Sequence, residues 1–326
     1  MRASIVVVNY NGGPEAPAAV AELAAHAIGA DAELIVVDNC SDDGSDGLIE
    51  RDVAGARLLR EPANRGYATA VGRGLAEASG DALVVMNADV RPVEGAVGAL
   101  IDVVLEGPGR GLVGGLLLGR RGRVTADTAR PLPIVSDILR EGFFLPGRRT
   151  ASRHEVLRRR GRPGTVPAPA VSGAVMGLGR ETLKLLGPMD ADYFLYNEDV
   201  EWCRRAGREG LGVAVATGAV FEHAGGASTR KSERAAFAAR VLSDFVYFTE
   251  GEGVPADVVR ARWLTRLRFR ANLYGTDARC GILGGRSSSA DRAAIYRELE
   301  RRLRAFDWTP APEGQSGHPD RLLRDG

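Results

Sequence analysis

Seven consecutive residues, Tyr196-Asn197-Glu198-Asp199-Val200-Glu201-Trp202, hold three acids and two aromatics. Three carboxylates so close together at a helix start, Glu198, Asp199 and Glu201, could do acid–base work. Charge alone offers another account. Acids in the first turn of a helix over 197–208, with Arg204, Arg205 and Arg208 toward its end, complement the helix dipole. Asp38 follows an apolar run and opens a polar loop, where a carboxylate can accept from a base ring N–H or from ribose hydroxyls. An Asx turn would use the same side chain to cap local backbone. Asn87-Ala88-Asp89 ends another apolar run. Oxygen donors at such a point can hold Mg²⁺ or Mn²⁺ between diphosphate oxygens, or can close a turn. His223 is one of four histidines and precedes Ala224-Gly225-Gly226. A lone histidine is usually structural, but a neutral imidazole there also suits Mn²⁺ as a borderline ligand. Asn64-Arg65-Gly66-Tyr67 precedes a helical stretch, and Arg73, about two turns into it, can reach a phosphate or simply face water.

The elements that must position these groups are legible as apolar runs. Residues 3–8, 33–37, 56–60, 82–86 and 112–118 read as short buried strands. Residues 15–28, 67–78 and 94–105 between them read as helices. That alternation predicts an α/β fold with a mostly parallel, doubly wound sheet. Ligands of such sheets bind beyond the carboxyl ends of the strands, where Asn9–Asn11, Asp38–Ser41 and Asn87–Asp89 fall. Residues 119–170 read as an irregular excursion, rich in Arg and Pro, near an acceptor site or as surface loop. A strand over 171–179, a short helix over 181–186 and a strand over 212–216 follow. From about 232 the chain reads as helices, 232–249, 254–273 and 289–305, with a frayed polar end.

Bulk properties exclude several classes. The 326 residues carry a formal net charge of +1, so nothing marks a nucleic-acid partner. The three cysteines, Cys40, Cys203 and Cys280, are odd in number and far apart, which suits a reducing cytoplasm. No run of eighteen apolar residues is present and the first residues do not form a signal peptide. GxSxG, HExxH and Walker A signatures are absent, and no Gly-rich piece reads GxGxxG between a strand and a helix.

The ordered set Asn9-Tyr10-Asn11-Gly12, Asp38-Asn39-Cys40-Ser41, Asn64-Arg65-Gly66-Tyr67, Asn87-Ala88-Asp89, Ser172-Gly173-Ala174, Glu198-Asp199 and His223 resembles an inverting family 2 glycosyltransferase of GT-A fold, on its rhamnosyltransferase-like branch. The resemblance covers about residues 3–230. It implies a GT-A catalytic domain over 1–230, with a nucleotide-sugar half to about 118 and an acceptor half from 119, and a C-terminal helical region over 231–326. Tyr10 and Asp38 would hold the nucleoside. Asn64 and Arg73 would support the nucleotide and diphosphate. Asn87 and Asp89 stand where the family carries Asp-x-Asp, with Asp89 the metal ligand and His223 a second ligand to the same Mg²⁺ or Mn²⁺. Asp199 would be the base and Glu198 its neighbour at the sugar, leaving Glu201 to compensate the dipole. The donor would be a dTDP- or UDP-sugar; the acceptor, a glycan, lipid-linked or small-molecule hydroxyl. Two positions depart from the pattern: Asn87 removes one formal charge, and Gly72 precedes Arg73 where many relatives carry Asn.

Two other classes compete. A nucleotidyltransferase also uses strand-end carboxylates, but Asn9–Gly13 lacks the Lys or Arg of its phosphate loop. A non-catalytic nucleotide- or glycan-binding module would tolerate loss of Asp89 and Asp199. The helix near 254–273 places Trp263, Leu264, Leu267 and Phe269 among five arginines. That pattern fits peripheral contact with an anionic membrane face, or packing on the catalytic domain or a second subunit; arginines on several sides favour packing.

Overall fold

The computed structural model describes residues 2–107, 110–148, 150–223, 233–280, 286–306, 308 and 314–323. The chain divides into two compact units. The first comprises residues 1–132, 149–191 and 198–231; the second comprises 133–148, 192–197 and 232–326. Two short segments that the sequence groups with the catalytic half, 133–148 and 192–197, thus belong with the C-terminal helices.

The first unit is built on a nine-stranded sheet: β1 (Ala3–Asn9), β2 (Ala32–Asp38), β3 (Ala56–Arg60), β4 (Ala82–Asn87), β5 (Val90–Pro92), β6 (Arg110–Leu118), β7 (Thr165–Pro167), β8 (Val175–Gly179) and β9 (Gly212–His223). Its order is β3-β2-β1-β4-β8-β6-β9-β5, with β7 also on β9. Strands β3 to β4 pair in parallel, and so do β6 and β9. The β4–β8, β6–β8, β5–β9 and β7–β9 pairs are antiparallel, so the sheet is mixed beyond β4 rather than mostly parallel throughout.

Both faces of the parallel part are covered, which is why its strands are apolar without alternation. Ile5, Val7, Val36 and Met86 face one core with α1 (Ala16–Gly29), α2 (Ser45–Asp52) and α4 (Ala96–Glu106). Val6, Ile35, Val37 and Val85 face the other, with α3 (Tyr67–Glu77) and Trp202. Full burial of one such side chain stabilises by roughly 1.5–3 kcal/mol, so these strands fix where their polar ends lie. The 119–170 excursion is more ordered than its composition suggests. Beside β7 it holds two short helices, α5 (Asp137–Gly142) and α6 (Ala151–Arg159). After it come α7 (Arg180–Leu186) and α8 (Glu198–Arg208).

The second unit is helical: α9 (Glu233–Phe245) continued by a π-turn to Gly251, α10 (Ala256–Cys280), α11 (Arg286–Ala305) and α12 (Asp320–Leu323). Trp263 and Leu267 are fully buried, and Arg266 lies over the Trp263 ring while pairing with Glu141 at 3.0 Å. Burial holds the Arg266 pKa below its ordinary value. This face of the Arg-rich helix packs within its own unit. Among the described residues no helix is long and apolar enough to cross a membrane.

Candidate active site

The end of β1 meets the end of β2 through one buried side chain. Asn9 donates from Nδ2 to Asp38 Oδ1 at 2.7 Å and to Ser45 Oγ at 2.9 Å. Asp38 is itself buried and also accepts from Ser41, from Oγ at 2.6 Å and from the backbone N–H at 2.9 Å. The local turn and the strand-end site are therefore the same object. Gly12 is required by closeness: a Cβ there would stand 2.5 Å from Asn9 Oδ1. Asn9 Oδ1 is buried without a hydrogen-bond partner among the described residues, an acceptor left open at the loop. Tyr10 beside it is 40% exposed.

Asn39 ties this loop to the next one. Its Nδ2 donates to Asn64 Oδ1 at 2.9 Å and to Gly66 O at 3.1 Å. Arg73, on α3, points elsewhere: it pairs with Glu77 at 2.5 Å and Glu61 at 3.5 Å, so the structure does not gather it with Asp38 and Asn64.

Asp89 and His223 come together through sheet register. β5 pairs with β9 so that Val90 stands opposite His223, the last residue of β9. Asp89, one residue before, lies 3.3 Å from His223 Nε2 through Oδ1. The strand read as ending at 216 runs on to 223, and this extension carries His223 into place. The glycine run after His223 lies outside the described residues. Asn87 donates its backbone N–H to Ala174 O at 3.0 Å, which ties the end of β4 to the Ser172-Gly173-Ala174 segment. Among the described residues no three or more His, Cys, Asp or Glu side chains form a metal cluster, so Asp89 and His223 stand as an open pair.

Asp199 sits at the start of α8 in a cradle from three segments. Oδ1 accepts the Val200 N–H at 2.7 Å; Oδ2 accepts the Gly173 N–H at 2.8 Å and Arg130 Nη2 at 2.5 Å. Gly173 admits this approach because a Cβ there would stand 3.0 Å from the Asp199 Cβ. Arg130 is placed by its backbone, which exchanges hydrogen bonds with Ala170 at 2.9 and 3.1 Å. Burial disfavours its charge, but Asp199 and then Asp127 outweigh that, and its pKa is raised. Glu198 is buried next to Asp199. The two residues before α8, Tyr196 and Asn197, both adopt left-handed backbone, with φ of 73° and 64°. Such strain, of order 1–3 kcal/mol per residue, tends to persist where function requires it.

Tyr67 links the carboxylates. Its hydroxyl donates to Gly173 O at 2.9 Å. Burial first, then the charges of Glu198, Asp199 and Asp89, push its pKa well above the ordinary tyrosine value. Tyr67 and Arg130 are the site residues that motif reading did not single out. Tyr67 had a visible signal, its place in Asn64-Arg65-Gly66-Tyr67. Arg130 had none, lying 69 residues before its partner. Cys203 is not a nucleophile: burial pushes its thiol up to about 12.

Residues 4–160 match the family model described as Glycosyl transferase family 2. The N-acetylglucosaminyl-diphospho-decaprenol L-rhamnosyltransferases of two Mycobacterium tuberculosis strains, CDC 1551 and H37Rv, are 29% identical over 323 residues. The match covers 93% of this chain and 97% of theirs. Among solved structures, GalNAc-T7 with UDP, GalNAc and Mn²⁺ aligns at TM-score 0.53 with 16% identity, over 78% of this chain and about half (52%) of that one. The mannosyltransferase PcManGT from Pyrobaculum calidifontis, in complex with GDP-Man and Mn²⁺, aligns at TM-score 0.50 with 20% identity, over 99% of this chain and 85% of that one. These two likenesses carry the fold, which is GT-A. The family match over residues 4–160 and the near-full-length relatives together support a family 2, rhamnosyltransferase-like glycosyltransferase.

Proposed function

We propose that this enzyme transfers L-rhamnose from a dTDP-activated donor to a hydroxyl of a lipid-linked acceptor, with inversion at the anomeric carbon. The observation that carries the mechanism is the Asp199 cradle. A carboxylate has about four lone-pair directions, and three are taken by Val200, Gly173 and Arg130. The one left, on Oδ1, can accept the acceptor hydroxyl. The acceptor proton becomes acidic as the new C–O bond forms and passes to Asp199. No covalent sugar–enzyme bond is needed. Arg130 and Gly173 act by holding the carboxylate in one orientation.

On the donor side, Asp38 and the open Asn9 Oδ1 lie at the strand ends, where the nucleoside of such sheets binds, with Tyr10 exposed beside them. One carboxylate and one imidazole fit a divalent ion whose remaining ligands are diphosphate oxygens, so Asp89 and His223 would hold Mg²⁺ or Mn²⁺. When bound, such an ion would supply positive charge against the negative charge of a nucleoside diphosphate. Asn87 makes that site less negative than an Asp-x-Asp pair. The acceptor class comes from the relatives, whose names specify a decaprenol-linked N-acetylglucosaminyl diphosphate.

The test is a thermal-shift and turnover screen of nucleoside diphosphates and their sugars, with and without Mn²⁺ or Mg²⁺. dTDP-rhamnose is expected to raise Tm more with metal than without, and to be consumed only when the lipid-linked acceptor or its water-soluble analogue is present. Preferential turnover of a different sugar nucleotide would replace the donor assignment.

A further inference from the structure

The turn after α5, in the second unit, breaks two rules at once. It closes as a Schellman motif: the Leu145 N–H donates to Arg140 O at 2.8 Å and the Phe144 N–H to Glu141 O at 3.3 Å. The position between them is ordinarily glycine because its φ is positive. Here it is Phe144, at φ 55°, a costly conformation for a bulky residue. The residue after it usually folds back onto the helix, yet Leu145 is 51% exposed. Phe143 and Phe144 are 38% and 57% exposed, so three consecutive large apolar side chains face water.

The tip is braced rather than loose. Phe143 packs edge-on against Phe269 of α10, with centroids 4.6 Å apart. Arg270 lies 3.5 Å from the centre of the Phe144 ring and donates to Gly142 O at 2.9 Å and Glu141 O at 2.7 Å. Arg140 donates to Pro146 O at 2.9 Å. Arg140 and Arg270 thus hold backbone carbonyls of the turn, and among the described residues neither makes an ion pair with a carboxylate. An apolar tip flanked by uncompensated guanidinium charge suits an anionic bilayer: the aromatics enter the interface while the arginines meet lipid phosphates.

We infer that Phe143-Phe144-Leu145, with Arg140 and Arg270, is a docking element for an anionic phospholipid surface. It deepens the lipid-linked reading above and rests on it for the reason such a surface is visited. The membrane contact considered for the face of α10 that bears Trp263 is assigned instead to the turn that α10 supports.

The experiment is co-sedimentation of the full chain with vesicles of phosphatidylglycerol or of phosphatidylcholine, over a range of salt. The wild-type chain should bind the anionic vesicles and lose affinity as salt rises. Phe144→Gly/Leu145→Asn should bind at least about tenfold more weakly. Its Tm should hold, because glycine suits the positive φ. Leu145→Ser alone changes only an exposed side chain and should weaken binding in the same direction. Turnover of a water-soluble acceptor analogue should be unchanged in both variants. Equal binding by wild type and variants, or no binding to anionic vesicles, overturns the inference. A wild-type dimer in light scattering that the double variant abolishes also overturns it, in favour of a second copy on this turn. Vesicle binding lost in the variants of a chain that turns over no sugar nucleotide would sink the transfer reading and leave the docking element standing.

Discussion

Asp38 and Asp199 are both buried carboxylates that accept three hydrogen bonds, but they are assembled over different distances. Two of the three donors to Asp38 come from Ser41, three residues on. Asp199 draws on its own helix start, on Gly173 26 residues back, and on Arg130 69 residues back. Asp38 is a local turn that a strand end brings to the ligand side. Asp199 is a meeting point that exists only when β8, α8 and the Arg130–Ala170 bridge are all in place. The first arrangement should survive partial disorder elsewhere; the second should not.

The largest effect should come from Asp199→Asn. Loss of a general base typically removes about 10²–10⁴ of rate, while donor affinity by calorimetry should change only a few-fold. This variant also leaves Arg130 without its charge partner, so lost activity alone would not separate chemistry from folding. Asp199→Asn/Arg130→Met resolves the two. It should regain stability relative to Asp199→Asn while staying inactive. A double variant that recovers turnover would show that Asp199 is not the base.

Next in size is the contrast between the two carboxylates. Breaking a fully buried ion pair from one side costs about 3–5 kcal/mol; with the Arg130 side chain 26% exposed, this one should fall at or below the low end of that range. Arg130→Met should therefore lower the urea midpoint markedly, with Arg130→Lys intermediate. Ser41→Ala removes one bond at Asp38 and the acceptor that Ser41 Oγ offers to the Asn11 N–H at 2.9 Å and Asn9 Nδ2 at 3.2 Å; it should cost about 1–2 kcal/mol, since the Ser41 N–H and Asn9 still reach Asp38. Equal losses for Arg130→Met and Ser41→Ala would erase the distinction between an assembled cradle and a local turn.

The same distinction explains what could be read from sequence. β1, β2 and β4 were legible because burial on both faces makes them apolar without interruption, and their ends mark Asp38 and Asp89. The Asp89–His223 approach needed more than periodicity. Thr217-Gly218 looks like a stop, but β9 continues through a register shift at Gly115/Leu116, with Thr217 Oγ1 bonded to Arg162 O at 2.8 Å. Helices α5 and α6 hide in the excursion because they are short, six and nine residues, with too few apolar positions to set a period. Arg130 is illegible for a different reason. Its role is set by where Ala170 places its backbone, and that is a tertiary fact with no local signature.

Glu201 sharpens the comparison from the same helix. From sequence it is an acid that compensates the dipole; in the structure it is buried and pairs with Arg205 at 3.1 Å. Burial is the largest influence on it and raises its pKa above 4.5, with Arg205 opposing and Asp190 adding. A raised carboxylate contributes stability that is complete below the unfolded pKa of about 4.5 and is lost as pH rises through the folded value. Ionised Glu201 is therefore a net burden at neutral pH. Glu201→Gln should match or exceed the wild-type Tm at pH 7, and the two curves should converge below about pH 4.5. Arg205 tolerates the change because it also donates to Leu186 O and Pro188 O at 2.9 and 2.8 Å. Activity should persist, because Glu201 touches none of the donors that orient Asp199. A Glu201→Gln Tm well below wild type at pH 7 would mean that the Arg205 pair outweighs burial, and that the acids of this helix start are held by charge rather than by placement.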